Sequence, residues 1–231
     1  MILKKRLGVN TVKIKLNKPK LVLKTHIMKI IELLEKRYPN PKIAINYTNP
    51  HEILVATILS AQCTDKRVNI VTKSLFKKYK TIADYANSDL TELENDIRST
   101  GFYRNKAKNI KKSSQIIVKK YNSKVPSNME ELIELPGVAR KTANIVLSNA
   151  FGIIVGIAVD THVRRLSIRL GLTENTNPTK IEIDLMKITP KMYWKKITNL
   201  LILHGRNVCT ARKPKCKICI LKKICPSSFS S

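Results

Sequence analysis

The sequence predicts an all-α protein. Three observations carry this: apolar residues recur at helical spacing from Thr25 onward, side-chain caps punctuate that spacing, and no alternating β-branched run follows residue 24. Only Val12, Ile14 and Leu16, alternating with Lys13 and Lys15, show strand periodicity. A lone strand with no pairing partner is marginal, so residues 1–24 are expected to form a mobile basic tail.

Taken in order, Ile27, Ile30, Ile31 and Leu34 make the first apolar stripe, closed by Pro39 and Pro41. Asn49 is an expected N-cap, with Pro50 at the first helical position and Glu52 completing a capping box. The helix that follows, through Leu59, is apolar nearly all round and should be buried. Val68, Val71, Leu75 and Tyr79 mark the next. Asp89 and Glu92 repeat the cap pattern ahead of Leu90, Leu93 and Ile97, and Gly101 ends that helix. Further helices are expected over 106–120, 128–134, 140–150, 161–170, 179–187 and 191–204, joined by short loops.

Composition narrows the function. A chain of 231 residues with 43% hydrophobic content can bury one large core or two smaller ones. The formal net charge is +28, and every acidic residue lies between Glu32 and Asp184, so both ends are purely cationic. Such a surface calls for a polyanionic partner, with nucleic acid the first candidate. The longest apolar run, Phe151 to Val159, contains glycines and is too short to span a bilayer. No secretory signal follows Lys4, Lys5 and Arg6, and an organellar leader is disfavoured by a single Arg and no Ser in the first 31 residues. A cytoplasmic, nucleoid-associated monomer is expected. Four of the five cysteines crowd into the last 23 residues, as a metal site in a reducing compartment would.

Chemistry first shows between Ser127 and Asn144. Ser127 and Glu130 are read as capping a short helix, Leu135, Pro136 and Gly137 turn the chain, and Thr142 and Ala143 lie in a second helix. Such a tight αα-hairpin aims free backbone N–H groups and a helix dipole outward, a seat for phosphate that reads no base sequence. Gly137 permits close approach. The carboxy-terminal cysteines, Cys209, Cys216, Cys219 and Cys225, are spaced C-x6-C-x2-C-x5-C. That spacing alone suits either tetrahedral zinc or a [4Fe–4S] cubane.

Leu135 to Ala143 resembles the hairpin of the endonuclease III family, the helix–hairpin–helix DNA glycosylases, and the cysteine loop after His204, Gly205 and Arg206 resembles that family's iron–sulfur loop. The resemblance runs over roughly residues 26 to 226 and departs at Ala139, where the family usually has a second glycine. It implies a six-helix barrel domain (45–154, hairpin at about 127–150) and a discontinuous cluster domain (25–44 with 155–231), with a cleft between them. Lys141 would be the nucleophile, made partly neutral by burial beside another cation, and Asp160 the carboxylate facing it. Asp160 also suits a plain N-cap, and His162 a structural partner at that helix start. The stretch between Lys141 and Asp160 is about one residue longer than usual, an excess that the Gly152–Gly156 loop can absorb.

The resemblance further implies that Gln62 and Phe102 fill the gap left by an extruded nucleotide. Gly137, Ala139 and Arg140 would meet phosphate, as would Arg212, Lys213, Lys215 and Lys217 between the ligands of a [4Fe–4S] cluster. The expected activity is a bifunctional glycosylase and abasic-site lyase acting on oxidised pyrimidines in duplex DNA that carries damaged bases or abasic sites. One alternative is a monofunctional glycosylase for mispaired adenine or thymine; such relatives lack the lysine, and the adenine-specific ones add a domain for which six residues after Cys225 leave no room. A second is a non-catalytic DNA-binding protein.

Overall fold

A computed structural model describes residues 20–228, and the strand-like alternation of the leader lies outside them. The described residues contain eleven α-helices and no strand: α1 (Lys20–Arg37), α2 (Pro50–Leu59), α3 (Asp65–Lys78), α4 (Ile82–Asn87), α5 (Leu90–Ile97), α6 (Tyr103–Lys120), α7 (Met129–Glu134), α8 (Arg140–Ala150), α9 (Thr161–Arg169), α10 (Pro178–Ile188) and α11 (Trp194–Asn207). Short 3-10 turns follow α5 (Arg98–Thr100) and precede α11 (Lys191–Tyr193). No helix among the described residues is long and apolar enough to cross a membrane.

Two cores organise these helices. One gathers buried residues from Ile45 to Leu147, with α4 packed on α6 and α2 on α8. The other joins α1, through Ile27, Ile30, Ile31 and Leu34, to residues from Ile157 to Leu221. Within it α9 packs on α11, and α1 lies against α10 and α11. The α2 residues from Ile53 to Leu59 are all buried, as their all-round apolarity requires.

Three local expectations are corrected. The first helix begins at Lys20 rather than Thr25, so residues 20–24 are helical and not tail. Leu23 packs against the second core one turn before Ile27, so the apolar stripe that the core stabilises reaches back into the leader. The cap of α7 is Asn128, whose side chain accepts from Glu131 N–H at 2.8 Å, one residue later than the Ser127–Glu130 pairing. Finally, α4 has its own capping box, Thr81 with Asp84, in a segment where no helix was expected.

Candidate active site

Most helix starts here are closed by a side chain: Asn49, Thr64, Thr81, Asp89, Asn128, Asp160 and Asn177 each accept from the amides that follow. The hairpin helix α8, like α6 and α11, lacks such a cap. Its N-cap is Ala139, which has no side-chain acceptor, so the first amides of α8 remain available to an outside anion. Ala139 sits at φ −88° and ψ 167°, extended backbone that tolerates its methyl group. Gly137 sits at φ 80°, and a Cβ there would meet the Asn109 side chain at 3.0 Å, so glycine is required at this point of the turn.

Lys141 lies in the first turn of α8 and is exposed, so the expectation that the fold itself buries it fails. Only a molecule closing over the site would desolvate its amine. Asp160, the N-cap of α9, is fixed from both oxygens. Its Oδ1 accepts from the His162 and Val163 amides at 2.8 Å, and its Oδ2 lies 3.1 Å from the His162 ring. Its side chain is 13% exposed. Lys141 and Asp160 line one cavity of about 80 Å³, with Ser148 and Asn149 from α8 and Lys195 and Arg206 from α11. A larger hollow of about 810 Å³, lined by Tyr79, Tyr85 and Lys124 among others, holds none of the candidate catalytic, metal-ligating or DNA-contacting residues.

Two members of the cavity were invisible to sequence reading. Lys195 donates to the Ser148 carbonyl at 2.8 Å, and burial pushes its amine below the ordinary lysine range. It is one lysine among 44 cationic residues, and no motif distinguishes it. Asn144 is buried one turn beyond Lys141, with its Nδ2 on Glu182 at 2.9 Å and its Oδ1 unpartnered. Glu182 also receives Arg140 Nε at 2.7 Å. Arg140 therefore straps the hairpin helix to α10, across the two cores, with about half of its side chain still exposed.

Gln62 and Phe102 share a distinction. They are two of the four non-glycine residues at positive φ among the described residues, at 52° and 48°, and both are exposed. Asn122 and Ser123, the other two, are exposed as well, so the left-handed backbone marks loops held at a conformational cost and does not by itself assign a role. Phe102 is 63% exposed at the uncapped start of α6.

The four carboxy-terminal cysteines line one further cavity, with Arg169 and His204 among the lining residues. Arg169 Nη1 reaches Cys209 Sγ at 3.3 Å and the Thr210 carbonyl at 2.8 Å. His204 Nε2 stands 3.3 Å from Cys219 Sγ. A guanidinium donor directed at sulfur suits a thiolate committed to a metal. Among the described residues, no three His, Cys, Asp or Glu side chains stand close enough to share one ion. Arg212, Lys213, Lys215 and Lys217 are all exposed on this loop. The helix α9 thus carries Asp160 at one end and the arginine that grips the cysteine loop at the other.

Comparison with known proteins agrees in sequence and in fold. Residues 55–191 match the HhH-GPD superfamily base excision DNA repair proteins. Endonuclease III of Synechocystis sp. is 52% identical over 208 residues, covering 90% of this chain and 95% of that one. Two solved structures, a non-covalent endonuclease III–DNA complex and a trapped endonuclease III–DNA covalent intermediate, superpose with TM-scores of 0.86 and 0.85. Each is 47% identical and covers 89% of this chain and 96% of the other.

Proposed function

We infer the chemistry of this cavity from one premise: the chain belongs to the endonuclease III family, within the HhH-GPD superfamily of base excision DNA repair proteins. It binds DNA and is a bifunctional DNA glycosylase and apurinic/apyrimidinic lyase. We propose that Lys141 is its nucleophile, that Asp160 is its acidic partner, and that it excises oxidised pyrimidines from duplex DNA. The observation that carries this is that both residues line one cavity, with Lys141 in the first turn of a helix whose start is left open to phosphate.

In this reading the open amides of α8 hold a backbone phosphate and so bring C1′ of the extruded nucleotide to the Lys141 amine. The duplex closes over Lys141 and removes the water that now surrounds it. The amine attacks C1′ as the bond to the base breaks, and the departing base takes up a proton. Asp160, held still by the hydrogen bonds it accepts from two backbone N–H groups, stabilises positive charge at C1′. Opening of the sugar ring gives a Schiff base, which acidifies the C2′ proton. Loss of that proton expels the 3′ phosphate oxygen and cuts the strand. Gln62 and Phe102 occupy the gap in the stack.

We further propose that Cys209, Cys216, Cys219 and Cys225 hold a [4Fe–4S] cluster. The Arg169 donor on Cys209 Sγ and the His204 ring beside Cys219 Sγ support this assignment. When bound, the cluster supplies four iron–thiolate bonds that fix the shape of the loop. Arg212, Lys213, Lys215 and Lys217 then face phosphate as one cationic surface.

Borohydride trapping tests the nucleophile. The wild-type protein is expected to form a reduced covalent complex with a thymine-glycol duplex, and Lys141→Ala to form none while still binding the duplex. A Lys141→Ala protein that traps normally would assign the chemistry to another amine, Lys195 being the first to examine.

A further inference from the structure

Lys106 is a lysine 4% exposed, and its amine is bonded to backbone carbonyls rather than to a carboxylate. Burial pushes that amine below the ordinary lysine range, so the fold carries a cost at this position. Its contacts show what that cost maintains. Nζ donates to the carbonyl of Leu59, the last residue of α2, and to that of Thr100, the last residue of the 3-10 turn after α5, both at 2.8 Å. Its backbone N–H bonds the Phe102 carbonyl at 3.1 Å. Three residues past Leu59 stands Gln62, and two past Thr100 stands Phe102, the strained exposed pair.

We propose that Lys106 is a positioning residue that ties the two gap-filling loops into one unit, so that Gln62 and Phe102 enter the duplex together. A carbonyl ending a helix carries partial negative charge and suits an ammonium better than a neutral donor. Binding both carbonyls with one cation fixes the separation of the two loops. The loops hold their own turns through local bonds, Cys63 N–H to the Ser60 carbonyl at 3.1 Å in one and Gly101 N–H to the Arg98 carbonyl at 3.4 Å in the other. What Lys106 adds is the link between them. The inference rests on the gap-filling role proposed above for Gln62 and Phe102.

The test uses a thymine-glycol duplex with 2-aminopurine beside the lesion, read by fluorescence and by single-turnover base release, alongside strand cleavage at a preformed abasic site. Lys106→Met is expected to slow base release about tenfold or more and to blunt the fluorescence rise, while abasic cleavage falls less than threefold, because an abasic sugar leaves the helix without a base to unstack or unpair. Lys106→Arg, which keeps charge and donors, is expected to recover most of the loss. Equal losses in both reactions, or no loss in a folded Lys106→Met protein, would overturn the proposal. Gln62→Ala and Phe102→Ala, measured singly and together in the otherwise wild-type chain, cover the case in which Lys106→Met does not fold. Coupled loops predict that the double variant loses less than the product of the single losses, and strict additivity would overturn the link. If neither single variant alters extrusion, the gap-filling reading itself fails, a result distinct from failure of the link.

Discussion

At Gly156 an added Cβ would lie 2.0 Å from Glu182 Oε1 and within 3.0 Å of the Asn144 side chain. No shift of a flexible tip relieves this, because Glu182 is 5% exposed and already bonded to Arg140 and Asn144. Gly156→Ala is therefore expected to cost about 2–4 kcal/mol from overpacking and a disrupted buried carboxylate, read as a lower urea midpoint at unchanged slope. Gly152, at φ 68° with open space around it, shows that room in this loop is confined to its first end. His51 offers a second test. Burial pushes its imidazole down to about 4 from an ordinary 6.5. The neutral ring packs edge-on against Tyr85 with centroids 4.9 Å apart and bonds Ser114 Oγ at 3.2 Å. Between those two values the unfolded chain binds a proton that the fold excludes, so stability falls as pH drops and is recovered as pH rises. A loss of about 2 kcal/mol between pH 7 and 5 is expected from this group, and His51→Gln should flatten that part of a pH series of urea melts.

Among the elements, α8 is built to be incomplete. Ala139→Asp would place a carboxylate where its neighbours have caps and should stabilise the helix by about 0.5–2 kcal/mol. The same carboxylate would occupy the proposed phosphate seat, so duplex affinity is expected to fall by about tenfold or more while the melting temperature rises. A rise in both would remove the hairpin from the DNA interface. Helices with long periods and an isolated cap were legible in sequence: Asn49, Asp89 and Asp160 cap the expected segments. Six-residue α4 was not, since Tyr85 and Ala86 are too few buried positions to show a period. The α7 cap slipped by one because Ser127 and Asn128 are adjacent, as are Glu130 and Glu131, and either pairing satisfies the pattern. The cavity was half legible: motifs reveal Lys141 and Asp160, but the Arg140–Glu182 strap joins residues 42 apart in sequence. Nor does the position of Lys141 in the motif tell whether the fold buries it.

For the molecule as a whole, a net charge of +28 makes salt the decisive variable in DNA binding. The slope of log affinity against log salt is expected to be steep. Replacing Arg212, Lys213, Lys215 and Lys217 together by glutamine should flatten it by about 3–4, near 0.9 for each phosphate that is no longer neutralised. An unchanged slope would show that the cysteine loop faces away from the duplex. Separately, the second core draws α1 from the start of the described chain and its remaining helices from beyond residue 156. During synthesis the residues of the first core, ending at Leu147, all emerge before that second core can close. Until residues as distant as Leu221 leave the ribosome, Ile27, Ile30, Ile31 and Leu34 have no permanent cover. The nascent chain therefore carries the apolar face of α1 without its native partners through most of its own translation.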